Sequence, residues 1–222
     1  MVQWRRHSVE KKGLPVPTKP ISSPALPLAE AKRAARAAAK ARWASLSPAA
    51  LDAISAGLCA RLFALPAWRQ AAGVFCFASM PGEPDTFPVL RRALAEGKLL
   101  YLPRVVGGGV MELVAVRDLG TLAPGALHIP EPTGSAPASP AALAAAGTLA
   151  LLPGLAAAAT PAGITRLGRG GGYYDRFLAA FAGPSLQLCP EALLFPALPS
   201  GPLDARPGAL LTECRFFAPA PA

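Results

Sequence analysis

The chain alternates between short apolar runs of strand length and longer stretches suited to helices. Residues 29–44 are alanine-rich and predict a helix by propensity. Ser47 as N-cap and Pro48 at the first helical position open a second helix, which ends before Pro66. A buried strand is expected at 72–79, and a helix over 87–96 with Asp85 or Thr86 as its N-cap. Strands follow at 99–102 and 110–116, then a turn at 127–132 and a loop with a short helix across 134–147. An apolar run at 148–153 has buried-strand length, and 173–182 has the spacing of a helix packed on one face. Strands alternating with helices predict an α/β fold, a single three-layer α/β/α domain over residues 29–217 with a largely parallel or mixed sheet. Ligands bind outside the carboxyl ends of strands in such sheets. The loops at 80–86, 153–172 and 200–206 are therefore expected to lie near one another.

Composition changes this picture little. Apolar residues make up 52% of the chain, diluted by much alanine, and no apolar run reaches the roughly 18 residues of a membrane span. The net charge of +9 is concentrated at the front, where Arg5, Arg6, Lys11, Lys12, Lys19, Lys32, Arg33, Arg36, Lys40 and Arg42 face only Glu10 and Glu30. The body is almost neutral, so a nucleic-acid-binding face is not implied. Residues 1–28, with Pro15, Pro17, Pro20, Pro24 and Pro27, read as a disordered basic tail, and 218–222 as a disordered C-terminus. Cys59, Cys76, Cys189 and Cys214 are scattered without a C-x-x-C pair, which argues against zinc and for reduced thiols in a cytoplasmic protein. A monomer without membrane or nucleic-acid partners is the expectation.

Chemistry concentrates in Arg166-Leu-Gly-Arg-Gly-Gly-Gly-Tyr-Tyr-Asp-Arg-Phe-Leu178. Its glycines let backbone N–H groups approach a ligand closely, and Arg166 and Arg169 add two fixed cations. A helix N-terminus follows, so the stretch has the parts of a phosphate-binding turn. A glycine cluster is also compatible with a plain mobile turn. The string matches neither the P-loop pattern nor the complete dinucleotide fingerprint. Upstream, Lys32, Arg36, Lys40 and Trp43 fall on one helical face.

That string closely resembles the signature of 5-formyltetrahydrofolate cyclo-ligases. Three further segments are similar to the family's: Lys32-Arg33-x-x-Arg36, Met80-Pro-Gly-Glu-Pro-Asp-Thr86, and Leu203-Asp-Ala-Arg-Pro-Gly-Ala-Leu-Leu-Thr-Glu213. Ile129-Pro-Glu-Pro132 resembles the family's Gly-Ile-x-Glu-Pro. The resemblance implies ATP-dependent closure of 5-formyltetrahydrofolate to 5,10-methenyltetrahydrofolate. It implies ATP binding by Lys32, Arg33, Arg36, Arg166, Leu167, Gly168, Arg169, Gly170, Gly171, Gly172, Tyr173 and Tyr174, although Tyr174 equally reads as core. Arg169 and Tyr173 would be catalytic, Met80, Glu83 and Tyr173 would contact folate, and Asp175 and Asp204 would hold Mg²⁺.

The chain also departs from the family pattern. Residues 156–160 lack its Phe and Asp, Pro190 and Leu193 replace a Tyr and a Gln, and Leu203 and Gly208 replace a His and an Asp. The alternative is a divergent relative that binds another small molecule or RNA. Glu83, Asp175 and Asp204 favour the enzyme, because RNA binding has no use for three acids around a phosphate pocket.

Overall fold

The computed structural model describes residues 27–125, 129–134, 136–161 and 163–219. Most of the expected N-terminal tail, residues 126–128 of the expected turn, and 220–222 lie outside these. Helix α1 (Leu28–Ala44) leads into α2 (Pro48–Ala64) and α3 (Pro66–Gln70). The first strand, β1 (Gly73–Phe75), is followed by α4 (Phe87–Ala95), β2 (Leu99–Gly107) and β3 (Val110–Val116). A ribbon of β4 (Leu122–Pro124) and β5 (Pro130–Pro132) comes next, then β6 (Pro137–Ala138) and α5 (Pro140–Ala145). The chain continues through β7 (Thr148–Leu152), β8 (Ala156–Thr160), β9 (Gly163–Leu167) and α6 (Tyr173–Ala180). It closes with β10 (Ser185–Leu188), β11 (Ala209–Leu211) and β12 (Phe216–Phe217).

The main sheet runs β12-β11-β10-β7-β1-β2-β3-β6. Its middle, from β11 to β2, is parallel, and the pairs at both edges are antiparallel. The expected mixed sheet is therefore present. Central parallel strands are covered on both faces, which explains the unbroken apolar run of β7, buried at all five residues. Side chains alternate across a strand. Leu149 and Leu151 join the layer with Ile54, Leu58, Leu62 and Leu90 from α2 and α4, whereas Ala150 and Leu152 join Leu143, Phe177 and Phe181 from α5 and α6.

Two features position the site. The chain passes from β1 to β2 on one side and from β7 towards β10 on the other, so the sheet order reverses between β1 and β7. The expected strand at 72–79 is shorter than the pattern indicated: after Phe75 the backbone leaves the sheet to become a site loop. Second, residues 156–167 form a separate antiparallel hairpin rather than an open loop. Alanines make α1 dock on it closely. Ala35 and Ala39 pack with Ala156, Ala157 and Ala159, and the Trp43 indole donates to the Leu155 carbonyl at 2.9 Å. Trp43 is thus an anchor, and Lys40 is exposed. The same helical face, extended towards the N-terminus, carries Arg36 and Lys32 to the mouth of the β1–β7 crevice.

Candidate active site

A cavity of ≈ 800 Å³ opens at the carboxyl ends of β1 and β7. All three expected neighbouring loops reach it, with Phe77, Ala78, Met80 and Glu83 following β1, Pro153 and Gly154 following β7, and Pro202 to Ala205 preceding β11. The glycine turn forms one wall. Strand β9 supplies Arg166 and Leu167, and Gly168 to Gly172 then turn the chain into α6. Gly170 (φ 109°) and Gly172 (φ 69°) have backbone conformations that disfavour a side chain, which accounts for their glycines. Gly172 is the N-cap of α6, and no side chain caps the helix, leaving its first-turn N–H groups for a ligand.

Cations converge on this turn from three elements. Arg36 Nε donates to the Gly168 carbonyl at 3.0 Å, so α1 grips the turn directly. Lys32 Nζ lies 2.5 Å from Asp204, Arg166 lies 2.7 Å from Asp175, and Arg169 lies 2.5 Å from Glu83. The last contact spans from the glycine turn to the loop after β1, across 86 residues of sequence. Glu83 also accepts from the Met80 N–H at 3.1 Å, and Thr86 ties the loop's end back to Phe77 and Ser79. Thr86 is the N-cap of α4 and makes no side-chain cap bond; Asp85, one residue earlier, accepts from the Phe87 N–H at 2.8 Å.

Most of the expected site residues meet here. Lys32, Arg36, Met80, Glu83, Arg166 to Asp175, and Asp204 all line the cavity. Arg33 is not brought to it. Its side chain is 79% exposed and faces Glu30, because one helical step turns it away from the face of Lys32. Leu167 is buried in the cluster beneath α1, so its side chain packs. Tyr174 lies between the core and the cavity. Its ring touches Phe75 in the core and borders the cavity, and burial raises its hydroxyl pKa. Tyr173 sits under the Arg176 guanidinium, 5.6 Å from its ring centroid. Arg176 itself went unread in the sequence, although its spacing from Tyr173 places both on one side of α6. It donates to the Gly171 carbonyl at 2.7 Å and to that of Gly109, linking the glycine turn to the β2–β3 hairpin.

Among the described residues no three His, Cys, Asp or Glu side chains cluster as a metal site. Asp175 and Asp204 border one cavity, each with its own cation. Mg²⁺ is usually bound by one or two carboxylates together with substrate phosphates and water, so this donor set fits a phosphate-delivered ion. Burial works to raise the Asp204 pKa, but the Lys32 hydrogen bond, the Gly201 N–H and the charges of Lys32 and Arg166 outweigh it and hold the carboxyl below its ordinary value. A lowered folded-state pKa stabilises the protein above the unfolded value, roughly 3.9, and that contribution vanishes as pH falls through the folded value. Asp204→Asn should therefore lower the melting temperature near neutrality, with the gap to the parent closing in acid. A gap independent of pH from about 2 to 6 would refute the Lys32–Asp204 pairing.

The sequence profile of the 5-formyltetrahydrofolate cyclo-ligase family matches residues 28–200. The chain belongs to this family. It is 28% identical over 169 residues to a Schizosaccharomyces pombe protein named "Probable 5-formyltetrahydrofolate cyclo-ligase", covering 74% of this chain and 79% of that one. The NMR structure of Aquifex aeolicus 5,10-methenyltetrahydrofolate synthetase superposes with a TM-score of 0.74 at 27% identity, over 86% of this chain and 94% of that chain. A Mycoplasma pneumoniae 5,10-methenyltetrahydrofolate synthetase shares the fold, with a TM-score of 0.64 at 15% identity over 82% and 98% of the two chains. The cyclo-ligase family match covers the α1 cations, the loop after β1 and the whole glycine turn. The protein is accordingly an enzyme, a ligase of folate metabolism.

Proposed function

We propose that the enzyme converts 5-formyltetrahydrofolate and ATP to 5,10-methenyltetrahydrofolate, ADP and phosphate. The observation that carries this reading is the joining of two unlike ligand walls in one cavity. The cationic glycine turn suits a nucleotide, and the loop with Met80 and Glu83 suits a folate. The ion pair of Arg169 with Glu83 joins the two walls and supports a reading in which the two reactants would meet there.

The chemistry needs this arrangement. A formamide oxygen is a poor leaving group until it is phosphorylated by ATP. The neighbouring amine of the folate then bonds to the activated carbon, and the carbon–oxygen bond breaks to release phosphate. Phosphoryl transfer depends on alignment and charge neutralisation rather than on a protein nucleophile. Lys32, Arg36, Arg166 and Arg169 supply the cations, and the glycine turn with the α6 N-terminus supplies backbone donors. Tyr173 lines the cavity beside the glycine turn and would contact both ligands there. Asp175 and Asp204 would hold Mg²⁺, which neutralises phosphate charge when bound.

Incubation of the purified protein with 5-formyltetrahydrofolate and Mg-ATP should produce methenyl absorbance and ADP in equal amounts. ATP consumption without a methenyl product would redirect the reading to another acceptor. A folded protein that shows neither would refute it.

A further inference from the structure

Charge in the cavity is unevenly matched. Glu83, Asp175 and Asp204 each face a cation, whereas Glu131 forms no ion pair or hydrogen bond through its carboxylate with a described residue. Glu131 lines the cavity and is only 8% exposed. An acid set in a cavity wall with no protein partner is free to take its hydrogen bonds from a ligand. Its placement is built. The β4–β5 ribbon pairs Ala123 with Glu131, and Gly125 leaves the space its side chain occupies, since a Cβ there would overlap the carboxylate. Arg104 of β2 fixes the ribbon by donating to the Pro132 carbonyl at 3.3 Å, while its own charge is committed to Glu112. The cations without an acid partner, Arg36 and Arg176, touch the glycine turn instead. The cavity thus has a cationic wall for phosphate and a separate acceptor on the β4–β5 wall.

We propose that Glu131 selects the pterin by accepting hydrogen bonds from its 2-amino group and N3–H. These two donors lie side by side on one edge of the pyrimidinone ring, and a carboxylate offers two acceptors at matching spacing. No arginine or lysine in the cavity can substitute, because those side chains only donate. The inference rests on the cyclo-ligase reading and adds the residue that distinguishes a 2-amino-4-oxopyrimidine from other ring systems.

Equilibrium binding of 5-formyltetrahydrofolate, of its 2-desamino analogue and of ADP tests it. Glu131→Gln should bind 5-formyltetrahydrofolate roughly ten- to a hundredfold more weakly, because the amide presents a donor where an acceptor is needed. ADP affinity should stay at the parent value, and discrimination against the 2-desamino analogue should shrink. The parent protein alone gives an independent check, since it should prefer the amino compound by roughly tenfold or more. Equal affinity of parent and variant for 5-formyltetrahydrofolate, or a parent indifferent to the 2-amino group, overturns the role of Glu131 and leaves the cyclo-ligase reading intact. A parent that binds ADP but not 5-formyltetrahydrofolate overturns both.

Discussion

Arg169→Ala should reduce turnover by a hundredfold or more while leaving the melting temperature nearly unchanged. Arg169 stands in the glycine turn, where negative charge develops during phosphoryl transfer. Loss of one preorganised donor at such a position costs about 3 kcal/mol of transition-state stabilisation. Its contribution to folding is small by comparison. The side chain is 51% exposed, and its ion pair with Glu83 is open to solvent, a setting in which pairs contribute roughly 0–1 kcal/mol. Arg215→Ala is the matched control. Arg215 is 58% exposed, pairs with Glu191 and lies over Phe217, away from the cavity. It should keep parental turnover. Steady-state kinetics on both variants decide the matter, and similar losses in the two would remove Arg169 from the reaction.

Much of this site is written in local sequence. Helix α1, strand β3 and the glycine turn with the helix after it follow from propensity, apolar runs and residue spacing within single windows. The absence of Arg33 from the cavity follows from helical geometry, because adjacent residues cannot share a helix face. What escaped the sequence depends on pairing between segments, near or distant, which a single window of residues does not carry. Ala156 to Ala159 have weak strand preference and become a strand only by pairing with Gly163–Leu167. Strands β10, β11 and β12 span four, three and two residues, too short for periodicity to reveal. The ion pair between Lys32 and Asp204 joins residues 172 apart, and no spacing rule announces it. Glu131 lay within a readable motif, but its lack of a partner is a property of the folded cavity alone.

Arg166 should carry both stability and function, and two substitutions together should separate them. Its side chain is 4% exposed, with one guanidinium nitrogen 2.7 Å from Asp175 and another 3.4 Å from the Pro153 carbonyl. Its Nε is buried without a partner, so the guanidinium is not held for packing alone. Arg166→Met removes the cation and leaves the Asp175 carboxylate, 22% exposed, facing an apolar side chain. Breaking a buried pair from one side costs about 3–5 kcal/mol. Here the low end applies, because Asp175 opens on the cavity and lies in the first turn of α6, where the helix dipole favours an anion. Adding Asp175→Asn removes the stranded charge, so the double variant should recover much of the lost stability, a non-additivity expected of contacting residues. Nucleotide affinity should not recover, because the cavity still lacks the Arg166 charge. Thermal unfolding and ATP binding, measured on both single variants and the double, test the two halves separately. Additive losses of stability would show that the pair does not interact, and parental ATP affinity in the double variant would show that Arg166 serves the fold alone.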